Sequence, residues 1–244
     1  MLDGVDHRVT DVAWARALVR RVGWGTLVST TSTSPPSPVA SHLPLLLDPG
    51  AGELAVLSHL GRPDDVTHEL ADAARMGREV LVTVEGPSGY VSPSWYSWGP
   101  AVPTWNFLAV HLWGVPEILS ASDTFDVLRA TVARFEDERP SPWVLPDDGD
   151  GGAYARRLAP GTLGFRVRAT RWQGKAKLSQ DKPPEVVARV IAALESDPVH
   201  GNAALAAAMR DVHGSSASTG LEATRGRSVA AEVTDDPHRG DGSS

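Results

Sequence analysis

The sequence predicts an α+β, mostly β fold, namely a small closed barrel of six antiparallel strands with flanking helices. Three observations lead to this fold class. Short apolar runs recur along residues 24–172 and are separated by turns rich in Pro, Gly and Asp. Amphipathic helical patterns lie between and after these runs. The chain of 244 residues, of which 41% are hydrophobic, can bury one large core or two small ones.

The first third of the chain predicts one helix and three strands. Thr10 can act as the N-cap of a helix over residues 11–22, where apolar residues recur at helical spacing. The Pro-rich stretch 31–38 predicts a loop, and the turn at 48–52 predicts a hairpin between the two strands that flank it. The three strands are predicted at 24–31, 39–47 and 53–59.

The middle of the chain predicts one helix, two strands and an aromatic loop. The helix is predicted over 64–76, the first strand over 78–86 and the loop over 87–101. A long strand follows over 102–119. Alternation divides this strand into two faces. One face carries Trp105, Phe107, Ala109, His111 and Trp113, and the other carries Thr104, Asn106, Leu108, Val110 and Leu112.

The last part predicts a strand among helices. The elements are a helix at 122–137 with Phe125, Leu128, Val132 and Phe135 on one side, a short helix at 152–158, a last strand at 162–172, and helices at 184–195 and 201–211. We expect one domain over residues 1–212. Residues 213–244 are rich in Ser, Gly, Asp and Thr, so they predict a disordered tail.

Composition excludes several classes of function. A net charge of −7 argues against a surface built around phosphate contacts, although a local basic patch remains compatible with it. The absence of cysteine excludes disulfides, thiolate nucleophiles and Cys-ligated metals. The first residues lack a signal-peptide pattern and no apolar run is long enough to span a membrane, so we expect a cytoplasmic protein without a membrane partner.

Common catalytic and binding motifs are absent from the sequence. We find no Rossmann glycine motif, phosphate-binding loop, His-Glu-x-x-His motif or nucleophile elbow. His59 and His68 lie near Asp64 and Asp65, but their spacing is not that of a metal site, and we predict no metal. No catalytic residue can be assigned. Three of eight tryptophans fall within residues 95–105, where they can wall a pocket for a planar ligand or fill a core.

Four segments together resemble the PaiB-like family of FMN-binding negative transcriptional regulators. They are SHLPLLLD (41–48), LSHLGRP (57–63), GYVSPSWYSWGPAVPTWNFLAVHLWG (89–114) and GKAKLSQDK (174–182). The resemblance extends over about residues 7–210. It implies the FMN-binding split barrel, the fold of pyridoxamine-phosphate-oxidase-like proteins. It also implies FMN as cofactor and a homodimer with the flavin at its interface.

On this resemblance, several side chains match what FMN requires. Phosphate calls for cationic and hydroxyl donors, and the flavin ring calls for an aromatic wall with a few polar groups. We expect Arg62 at the phosphate, aided by the N-terminus of the 64–76 helix. The candidate cofactor-binding residues are His42, His59, Arg62, Trp95, Tyr96, Thr104, Trp105, Asn106, Lys175, Lys177, Ser179 and Gln180. Plain structural roles remain open for Arg62, His42 and both lysines.

Two segments depart from the family pattern. The family has Ala-Arg-x-Asn-Pro where this chain has Leu60-Gly61-Arg62-Pro63, and it favours Asn where this chain has Asp181. The first departure loses an amide, and the second adds a negative charge near the expected phosphate. They leave open whether the His59–Pro63 segment still binds FMN.

Two main functions follow from the resemblance, with a flavin-binding scaffold as a third reading. The first is negative transcriptional regulation, with DNA as a possible partner. The helices 184–195 and 201–211 have the outline of a helix-turn-helix, but the second has one Arg and no Lys. The alternative is a flavin-dependent oxidoreductase. A regulator calls for a basic surface, which we expect from Arg16, Arg20, Arg21, Arg166 and Arg168.

Overall fold

The fold was determined from a computed structural model that describes residues 7–97 and 99–215. The predicted tail from 216 onward and Trp98 of the tryptophan cluster lie outside these residues. The strands are β1 (Arg8–Val9), β2 (Trp24–Thr30), β3 (Pro38–Pro44), β4 (Leu46–Leu47), β5 (Ala55–Gly61), β6 (Val80–Val91), β7 (Thr104–Gly114), β8 (Pro116–Ile118), β9 (Thr162–Arg168) and β10 (Arg171–Lys177). The helices are α1 (Val12–Val22), α2 (Arg62–His68), α3 (Leu70–Met76), α4 (Ala121–Glu136), α5 (Gly149–Leu158), α6 (Pro184–Ser196) and α7 (Ala203–Ser215).

The described strands form two antiparallel sheets that close into one barrel. The six-stranded sheet has the order β1-β10-β7-β6-β2-β3, and the four-stranded sheet has the order β4-β5-β9-β8. β3 continues into β4, and β7 continues into β8, so the chain joins the two sheets on both sides. Seven strands of at least seven residues, β2, β3, β5, β6, β7, β9 and β10, form most of the barrel wall. The closed antiparallel barrel confirms the predicted fold class, and the sheets place their inner faces around one core.

Strand alternation fills the barrel with apolar side chains. In β2, β6, β7 and β9 alternate residues point inward and are buried, as Leu27, Val82, Val110, Phe165 and Val167 show. α6 and α7 close one side with an apolar face of their own, which includes Val190, Leu194, Leu205 and Met209. The two faces predicted for β7 are confirmed, because Leu108, Val110 and Leu112 are buried while their neighbours His111 and Trp113 are half-buried.

Several element boundaries differ from the predictions for local reasons. Asp11, not Thr10, caps α1, since its Oδ1 accepts from the Ala13 N–H at 2.8 Å. The helix predicted at 64–76 is two helices, because Glu69 adopts a left-handed conformation with φ of 50°. The Glu69 carboxylate accepts from the Ser32 N–H at 2.8 Å and from Arg78 at 3.0 Å, contacts that fix the break.

Two strands extend beyond the predicted limits. β6 continues to Val91, into the predicted aromatic loop, after an irregularity in its pairing with β7 between Glu85 and Ser88. The strand predicted at 162–172 divides into β9 and β10. At this point the Ala169 N–H donates to Leu54 and the Thr170 N–H donates to Trp113, so the chain crosses from one sheet to the other.

The helices also depart from the predictions in detail. α4 turns Thr124 and Val127 toward the barrel, so the predicted apolar face of Phe125, Leu128 and Val132 is directed elsewhere. α7 continues through Ser215, so residues 213–215 form the last turn of a helix and the prediction of a disordered tail is wrong for them. Across residues 7–97 and 99–215, the helices are too short or too polar to cross a lipid bilayer.

Candidate functional site

The side of the six-stranded sheet that faces away from the barrel interior, here called the outer face, carries the polar and aromatic side chains of its strands. With the exception of Ala109, its described side chains are half-buried or exposed. A sheet face with this mixture of polar and aromatic groups, left open beside a closed core, is a candidate binding surface.

A row of polar side chains crosses the outer face. The strand register places Thr26 opposite both His42 and Thr83, then Thr83 opposite His111, and His111 opposite Gln173. Thr26 Oγ1 and His42 Nδ1 are 2.9 Å apart and share a hydrogen bond. Burial lowers the pKa of His111, so its imidazole is neutral at pH 7 and offers one donor and one acceptor.

Cations and aromatic rings flank this polar row. The Arg171 guanidinium lies 4.2 Å from the Trp113 ring centroid, and the Lys175 ammonium lies 5.8 Å from that of Phe107. Lys177 follows two residues later and donates to the Thr104 hydroxyl. The outer face therefore combines flat apolar surfaces with three cations, of which Arg171 is paired with Glu79 at 3.2 Å. These are the groups that a planar ligand with an anionic tail requires.

Trp105 extends the outer face toward a shallow pocket. It is 52% exposed and lines the pocket with Tyr90 and His200. Tyr90 and His200 lie with their ring centroids 4.9 Å apart. The pocket brings residues of the predicted aromatic segment together with the turn between α6 and α7. It gives Trp105 free ring surface for stacking.

The candidate residues predicted from sequence fall into three groups in space. His42, Trp105, Lys175 and Lys177 lie on the outer face, and Thr104 lies beside Lys177 at the start of β7.

A second group lies in the interior under α6 and α7. Asn106 is fully buried, and its Nδ2 donates to the Ser179 hydroxyl at 2.9 Å. Tyr96 is 1% exposed, and its carbonyl oxygen accepts from the Arg189 Nε at 2.9 Å. Trp95 packs against the same core. The Gln180 side chain hydrogen-bonds to the neighbouring backbone, since its Oε1 accepts from the Leu178 N–H at 2.7 Å. Tyr96, Asn106 and Ser179 do not reach the outer face, and the Tyr96 hydroxyl and the Asn106 Oδ1 are buried without a hydrogen-bond partner among the described residues.

A third group lies on the four-stranded sheet and at its end. His59 is on the side of β5 that faces α4 and α5, and Arg62 begins α2. The Arg62 Nε donates to the Pro160 carbonyl oxygen at 2.6 Å. The helix dipole argument for a phosphate at Arg62 is weakened, because α2 has only seven residues and carries Asp64 and Asp65 in its first turn.

The outer face also contains residues that the sequence did not indicate. Thr26, Thr83, Arg171 and Gln173 belong to it through strand register alone. Arg171 and Gln173 could not be assigned to the outer face, because the sequence predicted one strand over 162–172 where the chain passes from β9 into β10. The alternation of TWNFLAVHLWG was the available signal, since it already separated His111 and Trp113 from the core residues.

A barrel of this topology with an aromatic and cationic outer face defines a flavin-binding split-barrel protein. Residues 1–171 match a family model described as "Putative FMN-binding domain". The chain is 30% identical over 192 residues to protease synthase and sporulation protein PAI 2 of Bacillus subtilis, which covers 78% of this chain and 87% of that protein. The chain therefore belongs to this FMN-binding family, as its resemblance to PaiB-like proteins implied, and FMN is the cofactor that the family names.

Solved structures show the same fold at low sequence identity. The FAD and heme binding protein from Mycobacterium smegmatis superposes with a TM-score of 0.52 at 16% identity, over 75% of this chain and 80% of that one. The flavocytochrome Anf3 from Azotobacter vinelandii has a TM-score of 0.52 at 13% identity, over 77% of this chain and 78% of that one. At these identities the likeness supports the fold alone.

Proposed function

We propose that two copies of this chain bind FMN between them, with the outer face of the six-stranded sheet as the binding surface. The observation that carries the proposal is the arrangement of Arg171, Lys175 and Lys177 beside exposed or half-buried rings on that face. A closed barrel has no unpaired interior for a flavin, whereas the outer face offers both ring surface and charge.

The residues of the outer face have distinct parts in this proposal. Lys175 and Lys177 neutralise the phosphate, and the Thr104 hydroxyl positions Lys177. Trp113 covers the flavin ring, His111 and Gln173 hydrogen-bond to its polar edge, and Phe107, opposite Lys177, lies at the phosphate end. FMN supplies electron transfer when it is bound, and the chain holds and shields it.

Absorbance of the purified protein with added FMN tests this proposal. Lys177→Ala should weaken FMN binding about tenfold or more, because a charge-assisted hydrogen bond to phosphate contributes roughly 1.5–3 kcal/mol. Arg139→Ala, which removes a cation at the exposed end of α4, is the matched control and should bind FMN as the unaltered chain does. Equal FMN affinity in both variants would contradict the assignment of the phosphate to Lys177.

We further propose that the flavoprotein acts as a negative transcriptional regulator, as the family resemblance implies, and that it acts in the cytoplasm. The structure gives α7 little capacity to read DNA, because its single arginine, Arg210, is paired with Glu195. Two of the five arginines expected to form a basic surface are also neutralised. Arg166 is paired with Asp48 and Glu117, and Arg168 is paired with Glu117. Regulation through a protein partner or a small molecule therefore fits the surface better than direct DNA binding.

The alternative is a flavin-dependent oxidoreductase, and one observation favours it. The polar row sets two imidazoles, His42 and His111, on the same open face with two threonine hydroxyls. Such groups can move a proton at the edge of a bound flavin. Reduction of bound FMN by NADH or NADPH, followed by reoxidation with a quinone, would distinguish an enzyme from a regulator that only binds the cofactor.

A further inference from the structure

A second cavity lies outside the four-stranded sheet, away from the outer face of the six-stranded sheet. It is enclosed by α4, α5, the loop that joins these helices, and β5. Its volume is about 410 Å³, which is in the range of small-molecule sites. Phe125, Leu128 and Val132 of α4 form one wall, and Trp143 and Tyr154 form another. This cavity explains why the predicted apolar face of α4 is not directed at the barrel.

The lining is mainly apolar, and its polar groups are the His59 imidazole, the Thr131, Thr162 and Tyr154 hydroxyls and the Trp143 indole N–H. His59 projects into the cavity from β5, and its Nδ1 is shielded from solvent without a hydrogen-bond partner among the described residues. Burial lowers the pKa of His59, so the ring is neutral at pH 7. Because Nδ1 is shielded from a ligand as it is from water, the ring offers a ligand its other nitrogen, Nε2, which is not among the buried unpartnered atoms.

The rim of the cavity leaves large apolar side chains in contact with solvent. Trp143 is 53% exposed, Tyr154 is 55% exposed and Leu158 is 53% exposed, and all three line the cavity. The loop that carries Trp143 is held to α4 by a hydrogen bond from the Trp143 N–H to Glu136 at 2.9 Å. Adjacent exposed aromatic and aliphatic groups around a cavity mark a surface that a ligand completes.

We propose that this cavity binds a neutral aromatic molecule of one or two rings that carries a hydroxyl group. The aromatic walls provide stacking surface for the rings, and a hydroxyl can donate to or accept from the neutral His59 imidazole. Arg, Lys, Asp and Glu are absent from the lining, so a charged ligand would lose its hydration without compensation. The site is separate from the outer face, and the proposal does not depend on flavin binding.

The test uses 2-naphthol as the probe, with titration calorimetry on the full chain and naphthalene as the analogue without a hydroxyl. His59→Phe keeps the ring volume and removes the hydrogen bond. We expect it to weaken 2-naphthol binding about five- to tenfold while leaving naphthalene binding unchanged. Leu128→Trp fills the cavity and should abolish the binding of both probes. Val199→Phe, at a residue of the turn between α6 and α7 that is 77% exposed, is the control and should bind both probes normally.

Several outcomes would overturn the proposal. The first is that the unaltered chain does not bind 2-naphthol. The second is that His59→Phe weakens the binding of 2-naphthol and of naphthalene equally. A third is that Leu128→Trp changes the sedimentation coefficient, which would make this surface a contact between subunits. Thermal unfolding and the FMN spectrum of each variant are measured alongside, so a folding defect or a failure of flavin binding is detected separately.

Discussion

His68 shows how a single buried side chain can make the stability of this protein depend on pH. It is fully buried in α2, and its Nδ1 lies 2.8 Å from the Ser29 hydroxyl. Its Nε2 is buried without a partner among the described residues. Burial lowers the pKa of His68 despite the opposing charges of Asp64 and Asp65, so protonation of the folded state is disfavoured.

The sign of the resulting pH dependence follows from the direction of the shift. Since the pKa in the folded state is below the unfolded value of about 6.5, the unfolded state binds the proton more readily. The free energy of unfolding should therefore fall as pH decreases below about 6.5, until the folded-state pKa is passed. His59 and His111 act in the same direction, because burial lowers their pKa values as well.

Urea unfolding at a series of pH values between 7.5 and 5 measures this dependence. His68→Asn removes the titrating ring and should give a shallower loss of stability toward pH 5 than the unaltered chain. The exposed His200→Asn is the control and should keep the original slope. The idea fails if the His68→Asn slope equals that of the unaltered chain.

At the scale of elements, the crossing from β7 to β8 depends on one glycine. A Cβ atom at Gly114 would lie 2.1 Å from the carbonyl oxygen of Arg168, the last residue of β9. The backbones of β7 and β9 meet there without a side chain between them. This contact lets one strand belong to both sheets and closes the barrel.

Gly114→Ala should lower the free energy of unfolding by about 3 kcal/mol, because the clash is with backbone and the strands must separate. Gly52→Ala is the control, since a Cβ there meets no atom within 4 Å. Chemical denaturation of both variants measures the difference. Similar stability of the two would show that the crossing tolerates a side chain.

The sequence predicted an element correctly where the element depends on neighbouring residues, and incorrectly where it depends on contacts between distant segments. The wall strands were predictable because alternation and turn residues are local. The break at Glu69 was not, since it depends on the side-chain contact with Ser32, which is 37 residues away in sequence. β10 (RWQGKAK) has no aliphatic residue larger than Ala, and pairing with β1 and β7 defines it as a strand. For the same reason, the half of the outer face that β10 supplies could not be predicted.

At the scale of the whole molecule, the outer face predicts the oligomeric state. In the proposed dimer, the half-buried His111 and Trp113 of β7 lie between the two copies. Open sheet faces with aromatic and arginine side chains are typical of the centre of protein interfaces.

Sedimentation velocity tests the dimer. The unaltered chain should sediment as a dimer, and Trp113→Glu should shift it to the monomer, because the substitution removes the indole from the subunit contact and leaves a carboxylate that pairs with Arg171 of the same chain. Val66→Glu, at a residue of α2 that is 76% exposed, should remain dimeric. A Trp113→Glu variant that stays dimeric would place the subunit contact elsewhere.

The pairing of β5 with β9 has a consequence for how the chain is made. β5 is complete at Gly61, but its partner begins at Thr162, and β7 obtains its second neighbour only from β10. A ribosome must therefore synthesise about two thirds of the chain before β5 can pair with β9. During that interval the hairpin of β2 and β3 leaves apolar surface exposed to water. We therefore expect the nascent chain to keep this apolar surface exposed until its last strands leave the exit tunnel.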